Sequence, residues 1–313
     1  MIKTLFKRIG MLAVTMLLVS FLTFLAFELV SGDPVQTILG IDATEAQAAA
    51  LRQQLGLDLP FLSRYLRWLG GFFSGDLGIS YSYRQPVWDL IGGKLTLTLA
   101  LSLMSFVLIT AVSIPLGVFS YRLEGGFWDW PRTFLNQFFM AVPPFFTGIL
   151  VSWCFGIILR FFTPGDFPDL GTYPAAALRH LFFGALCVSI PRIAMTVRML
   201  RATVISEMNK AYVRTAISRG NDRRSVLVRH VLKNSMVPTV TFLGQTLAEL
   251  VGAGIVVEQV LGIPGLGRFL VLSISHRDYP VVQAIVVILA FWVCLAGATA
   301  DLVNQCIDPR LRT

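Results

Sequence analysis

The chain has 313 residues, of which 55% are hydrophobic and 14% are charged, and its mean hydropathy is +0.70. Because an average soluble protein is about one quarter charged, this composition argues against a water-soluble enzyme and against a disordered protein. The net charge of +8 leaves nucleic acid, anionic lipid and membrane orientation as explanations of the basic residues. The charged residues are clustered along the chain, which predicts a polytopic membrane protein.

Six segments are long and apolar enough to cross a membrane, since a helix needs roughly 20 mostly apolar residues to do so. Four of them contain no charged residue, whereas the fourth in chain order contains Arg179 and Arg192 and the fifth contains Glu249. The predicted spans are residues 9–27, 95–121, 133–159, 175–197, 234–257 and 279–300. The predicted fold class is therefore an all-α polytopic membrane protein with six transmembrane helices.

The basic residues orient these spans, because short loops rich in Lys and Arg stay in the cytoplasm. Residues 198–233 contain nine basic and two acidic residues, and residues 1–8 contain three basic residues and no acid. Both regions are expected in the cytoplasm. An even number of spans must then separate them, so the segment that contains Arg192 is expected to cross the membrane. With six spans, both termini are expected to be cytoplasmic. Residues 31–94, with five basic and six acidic residues, are expected outside. The first span is too long for a typical signal peptide and is expected to stay uncleaved.

The cytoplasmic region is predicted to form two short amphipathic helices. The first covers residues 206–220, with Ser206 as its cap and Gly220 as its left-handed stop. The second begins at about Arg223, capped by Asn221 or Asp222. The first helix has a mainly apolar stripe (Met208, Ala211, Tyr212, Thr215 and Ala216) flanked by Lys210, Arg214 and Arg219. Two interpretations remain open: another protein grips the pair, or it rests on anionic headgroups. Nucleic-acid binding is disfavoured, because orientation already explains the charge.

The loops expected outside contain further patterns. Residues 45–56 are predicted to be helical. Residues 258–280 are expected to form the last outer loop, whose dense Gly and Pro residues favour tight turns or a re-entrant path. This loop either shapes a docking surface or gate, or forms a rigid cap.

Motifs spread over the whole chain resemble a known family. The cytoplasmic ones are Tyr212-Val213-Arg214-Thr215-Ala216, Gly220, Arg229-His230-Val231-Leu232-Lys233-Asn234 and Pro238. The others are Ser31-Gly32-Asp33-Pro34, Leu55-Gly56-Leu57-Asp58, Asp76-Leu77-Gly78, Pro264-Gly265-Leu266-Gly267, Arg277-Asp278-Tyr279-Pro280 and Asp308-Pro309-Arg310. Together they are similar to the permease subunits of ATP-binding-cassette (ABC) importers, in particular the branch that imports dipeptides, oligopeptides and nickel.

The resemblance implies a type I importer permease in the bacterial inner membrane. Residues 1–30 would form the cytoplasmic N-terminus and first span, residues 31–94 a periplasmic region, and residues 95–313 a five-helix permease core with coupling helices at about 206–233. The implied partners are a second homologous permease, two ATP-binding subunits, an extracytoplasmic substrate-binding protein and the lipid bilayer. The implied ATPase-coupling residues are Met208, Ala211, Tyr212, Arg214, Thr215, Ala216, Arg219 and Gly220.

Arg192 and Glu249 are the candidates for the translocation pathway, because a charge within a span usually faces a cavity or a partner. A structural ion pair between spans, or across the permease dimer, is the alternative. Pro143 with Pro144, and also Pro191, are expected to bend or break their helices, and Pro143 is a further pathway candidate.

No catalytic or metal site is predicted. The three histidines are scattered over different segments, and no phosphate-binding loop or hydrolase motif occurs. We therefore expect no cofactor in this chain, with ATP and Mg²⁺ bound by the partner ATPase subunits. The predicted function is a permease for peptides or for nickel and metal chelates. The alternative is an ion-coupled secondary transporter that uses Arg192 and Glu249.

Overall fold

The computed structural model describes residues 2–30, 35, 39 and 44–307. Within these residues the chain is almost entirely helical and has no β-strand, apart from an isolated bridge between Ile79 and Pro86. This confirms the predicted all-α fold class. The motifs at residues 31–34 and 308–310 lie outside the described residues.

The helices are numbered here in chain order. They are α1 (Ile2–Val30), α2 (Glu45–Leu55), α3 (Phe61–Ser74), α4 (Val87–Arg122), α5 (Asp129–Ala141), α6 (Pro144–Ile158), α7 (Pro174–Met208), α8 (Ala211–Ser218), α9 (Arg223–Leu261), α10 (Leu266–Ser275) and α11 (Tyr279–Ile307). Helix α2 confirms the helix predicted at residues 45–56, since Thr44 forms a capping box at its start and Gly56 ends it with φ +68°.

Among the described residues, five helices are long and apolar enough to cross a membrane: α1, α4, α7, α9 and α11. The predicted third span corresponds to α5 and α6, which are bent by 98° at the break between them and make a sixth span if the pair is counted as one. Pro143 is extended (φ −67°, ψ 149°) and Pro144 begins α6. A proline disfavours helical backbone in the residue before it, so the expected break at Pro143 is confirmed.

Pro191 does not break its helix, because α7 continues through it, and a bend at Pro191 stays a prediction. A proline frees the carbonyl four residues earlier, which is that of Cys187. The Thr147 hydroxyl of α6 lies 3.2 Å from that carbonyl and 2.8 Å from the Pro144 carbonyl of its own helix, and its one proton is shared between them. A neighbouring helix thus offers a donor to the group that the proline leaves unpaired within α7.

Residues 1–97 and 264–292 form one compact unit. Its apolar core consists of Leu77, Val87, Ile91, Leu266, Phe269, Val281, Ala284 and Ile285. Asp278 is fully buried and accepts hydrogen bonds from the Ser80 hydroxyl (2.5 Å) and from the amides of Tyr81 (3.1 Å) and Ser82 (3.3 Å). These four residues, named here the Asp278 node, join the motif at residues 277–280 to residues 80–82.

Residues 98–263 and 293–313 form the second unit. Helix α9 extends to Leu261, so the last outer loop starts later than the predicted residue 258. Glu258 is instead a fully buried helical residue that accepts a hydrogen bond from the Thr98 hydroxyl at 2.6 Å. Gly262 then turns the chain with φ +76°, and an added Cβ would lie 2.5 Å from the Gly165 backbone. This close approach requires glycine at position 262.

Candidate functional site

The predicted coupling residues lie on α8 and at the end of α7. The predicted single helix over residues 206–220 is wrong at its start, because α7 includes Ser206 and continues to Met208. Lys210 is extended (φ −73°, ψ 153°) and separates α7 from α8. Gly220 has φ +86°, as predicted for a left-handed stop. Asp222 caps α9, since its carboxylate accepts the Ser225 amide at 3.0 Å.

Helix α8 packs on an apolar cluster, named here the α8 core. The α8 core consists of Tyr121, Leu200, Val204, Met208, Val213, Val226, Leu227 and Val231, with Tyr212 and Ala216 packed against it. Val213 is 1% exposed and anchors the helix. Val213 belongs to the quoted motif but is not among the predicted coupling residues, although its three-residue spacing from Ala216 on a helix indicates a shared face.

The structure divides the predicted apolar stripe of α8 between two faces. Met208, Tyr212 and Ala216 contact the α8 core. Ala211 and Thr215 are exposed, as are Arg214, Arg219 and Gly220. Ile217 is 42% exposed on the same helix. The outer face of α8 therefore combines small, apolar and basic side chains.

A polar network braces the start of α8 against its neighbours. Glu207 at the end of α7 forms an ion pair with Lys210 and accepts a hydrogen bond from the Tyr212 hydroxyl at 2.9 Å. The Asn234 amide of α9 donates to the same hydroxyl at 3.2 Å. The hydrogen bond to Glu207 raises the pKa of Lys210, and burial is the main cause of the raised pKa of Tyr212. Glu207 was not predicted as part of this site.

The two predicted charged pathway candidates contact each other. The Arg192 guanidinium of α7 lies 2.5 Å from the Glu249 carboxylate of α9, and their side chains are 23% and 56% exposed. An opposite charge at this distance lowers the cost of placing either group within a span. Pro143 lies at the bend before α6.

The sequence has three histidines on different segments, and His180 is the one that is deeply buried in this unit. Its Nε2 lies 3.0 Å from the Leu261 carbonyl, and its ring lies 4.7 Å from that of Phe162 and 5.2 Å from that of Phe167. Among the described residues, no group of three or more His, Cys, Asp and Glu side chains is arranged to hold a metal ion.

Comparison with known proteins assigns the family. Residues 113–313 match the family described as binding-protein-dependent transport system inner membrane component, and residues 1–102 match the N-terminal region of such membrane components. A putative peptide transport system permease protein of Brucella abortus (strain 2308) is 34% identical over 306 residues, 98% of each chain. The oligopeptide transport system permease protein AppB of Bacillus subtilis (strain 168) is 31% identical over 296 residues, 94% of each chain.

A solved structure has the same fold. The chain is similar to a chain of the methionine ABC transporter MetNI in inward-facing conformations, with a TM-score of 0.54 and 17% identity over 70% of this chain and 96% of the other. The family match and the long apolar helices agree in placing the protein in the inner membrane. The chain belongs to the binding-protein-dependent transport system inner membrane components, as a multi-pass ABC importer permease of the peptide branch.

Proposed function

We propose that this permease imports peptides, receiving them from an extracytoplasmic binding protein. The names of the relatives, which include a peptide and an oligopeptide transport system, support this cargo class. Nickel and metal chelates remain cargoes of the branch that the sequence resembles, but none of these names supports them. Competition between labelled peptides and chelated nickel for uptake by cells that express the complete transporter tests the cargo.

The second part of the proposal is that α8 couples the permease to its ATPase subunits. The observation that carries it is the division of α8 into a buried and an exposed face: Val213 is 1% exposed, whereas Arg214 and Thr215 face outwards. A helix fixed to the spans along one side can transmit force from a partner that binds the other side. ATP and Mg²⁺ are bound by the partner subunits in this proposal, and this chain carries no ATPase site.

The remaining parts concern assembly and orientation. We propose a complex of this chain with a second homologous permease and two ATP-binding subunits, with both termini of this chain in the cytoplasm. The excess of basic residues in 198–233 supports that orientation. Residues 31–94 are then periplasmic, and residues 95–313 form the permease core with α8 on its cytoplasmic side.

A substitution of Gly220 tests the coupling. Gly220 has φ +86°, and an added Cβ would meet no atom within 4 Å. Gly220→Val therefore acts through backbone strain of about 1–2 kcal/mol rather than through a clash. We expect the reconstituted complex to hydrolyse ATP while uptake per ATP falls severalfold. Normal uptake and normal ATPase association in this variant would contradict the proposal.

Gly75 provides a matched control. It also ends a helix, has φ +85° and has nothing within 4 Å of an added Cβ. Gly75→Val imposes the same kind of strain at a predicted periplasmic position, so uptake per ATP should remain normal. If both variants uncouple transport to the same degree, general strain is responsible and α8 has no special role.

The alternative function, an ion-coupled secondary transporter that uses Arg192 and Glu249, can be tested directly. An ion-coupled secondary transporter would carry substrate as the purified chain alone, under an ion gradient. We expect no uptake from this chain in proteoliposomes without ATPase subunits. The family match supports the importer, and uptake by the chain alone would overturn it.

A further inference from the structure

A small basic cavity lies beside the α8 core, between the end of α4 and the start of α9. Its volume is about 390 Å³, and it is lined by Tyr121, Arg122, Glu124, Arg223, Arg224 and Leu227. Three guanidinium groups and one carboxylate thus line one opening. The proposed coupling function does not use this cavity.

The positive charge of the cavity is not balanced by ion pairs. The described part of the chain shows no ion pair for Arg122, Arg223 or Arg224, and Glu124 supplies one negative charge against their three. The Tyr121 hydroxyl fixes the Arg223 guanidinium, which donates to it from Nη2 at 3.0 Å and Nε at 3.3 Å. A positioned guanidinium loses less conformational entropy when it binds an anion.

Exposed aromatic side chains indicate the depth of this cavity in the bilayer. Phe127, Trp128 and Trp130 directly follow the end of α4 and are 86%, 65% and 77% exposed. Tryptophan and other aromatic residues concentrate at the level of the lipid headgroups. Arg122 and Glu124 precede Phe127 by three to five residues, so the cavity lies near that level. The basic residues around it place it on the cytoplasmic side.

We propose that this cavity binds the phosphate group of an anionic phospholipid of the inner leaflet, of the phosphatidylglycerol or cardiolipin type. Guanidinium groups bind phosphate oxygens through paired, charge-assisted hydrogen bonds. Basic pockets between transmembrane helices on the cytoplasmic side are the usual sites for such headgroups. The acyl chains would lie along the apolar outer surface of the spans.

The bound lipid would act on α8 through two shared residues. Tyr121 and Leu227 line the cavity and also belong to the α8 core, where Val213 of α8 packs. A headgroup that fixes Arg223 therefore also fixes the hydroxyl of Tyr121, whose ring supports α8. Anionic lipid bound here stabilises the position of α8 relative to α4 and α9.

Lipid titration of the purified full chain in neutral detergent, followed by native mass spectrometry, tests this proposal. Phosphatidylglycerol is compared with phosphatidylcholine for the wild type and for Arg122→Gln/Arg224→Gln. We expect the double variant to bind phosphatidylglycerol about 30-fold more weakly, which corresponds to about 1 kcal/mol for each arginine near an anionic surface. Phosphatidylcholine binding should not change.

The matched control removes the same number of charges outside the cavity. Arg198 and Arg229 are exposed and do not line it, so Arg198→Gln/Arg229→Gln should retain wild-type affinity. Equal losses in the two double variants would overturn the proposal. Tyr121→Phe keeps every charge and frees Arg223, and we expect about fivefold weaker binding. This single variant remains available if the double variant does not fold.

Two further outcomes identify a different occupant. Displacement of bound phosphatidylglycerol by an excess of inorganic phosphate would assign the site to a soluble anion and overturn the lipid proposal. Loss of ATPase-subunit binding in Arg122→Gln/Arg224→Gln, with unchanged lipid affinity, would assign the arginines to a protein interface and would overturn it too. Because the lipid titration uses this chain alone, its result does not depend on the coupling role of α8.

Discussion

The Asp278 node and the α8 region both arise from motif-rich loop sequences, yet they are built differently. Asp278 is fully buried, and three donors from residues 80–82 surround its carboxylate. Helix α8 is anchored along one side by Val213 and is open along the other. In the first region the polar groups are hydrogen-bonded to each other within the chain. In the second region the charged side chains are exposed.

This difference separates structural motifs from candidate functional ones. Both Asp278 and Asp222 accept backbone amides, but Asp278 does so where water is excluded, and Asp222 does so at an exposed helix start. The contribution of a motif's hydrogen bonds to protein stability is larger where its polar groups are buried. A motif's availability to a partner follows from its exposure.

Asp278→Ala should destabilise the protein by about 4 kcal/mol, because it leaves three donors without their charged acceptor. Thermal unfolding of the purified protein in detergent measures the loss. Asp222→Ala removes an exposed helix cap and should cost about 1 kcal/mol. If the two variants unfold at the same temperature, the contrast between the two regions is wrong.

Tyr81 predicts an alkaline transition in the Asp278 node. Burial, with help from the Asp278 carboxylate, raises the pKa of Tyr81 from 10.0 to about 12. Between pH 10 and pH 12 the Tyr81 phenol therefore keeps its proton in the folded state but loses it in the unfolded state. The contribution of Tyr81 to the free energy of unfolding is complete below pH 10 and is lost as the pH rises towards 12. A pKa difference of two units corresponds to a loss of about 3 kcal/mol of stability.

Comparison with Tyr81→Phe isolates this titration. The wild type should lose stability more steeply than Tyr81→Phe between pH 10 and pH 12, since the variant has no phenol to ionise. Denaturant unfolding at a series of pH values in this window makes the measurement. Parallel curves for the two proteins would show that Tyr81 is not shielded in the folded state.

Val213→Ala tests the anchored side of α8. The substitution leaves a cavity in the α8 core and should destabilise the protein by about 2 kcal/mol. Ile217→Ala changes a side chain that is 42% exposed on the same helix, so its thermal unfolding should stay close to that of the wild type. The Ile217 variant should instead weaken pull-down of the ATPase subunits. The reverse pattern would mean that the two faces have been assigned to the wrong roles.

The Arg192–Glu249 pair distinguishes a structural role from a pathway role. Arg192→Gln removes the opposite charge that stabilises Glu249 within its predicted span and should reduce stability by about 2 kcal/mol. The exchange Arg192→Glu/Glu249→Arg restores opposite charges at these positions. If the exchange recovers stability and uptake together, the pair is structural. Recovered stability with defective uptake supports the pathway role.

Much of this architecture follows from local sequence patterns. Uninterrupted apolar runs mark the spans because hydrocarbon requires about 20 apolar helical residues. Gly220 and Asp222 mark helix ends because their backbone and side-chain preferences act within four residues. The bend at Pro143 is likewise local.

The features that the sequence did not predict depend on contacts between residues that are distant in the sequence. The sequence does not show that the Thr147 hydroxyl reaches the carbonyl freed by Pro191. It also does not show that α7 continues past Ser206 to Met208. The burial of Glu258 beside Thr98 is also a tertiary effect. The pairing of Arg192 with Glu249 was an open alternative that spacing alone could not decide.

Site-specific photo-crosslinking tests whether α8 docks the ATPase. A photoreactive amino acid at Thr215, on the exposed face of α8, should crosslink to an ATPase subunit in the assembled complex. The same group at Ile274, which is 54% exposed on α10 in the predicted periplasmic region, should not. Crosslinking of the ATPase from position 274 with none from position 215 would contradict both the orientation and the coupling role of α8.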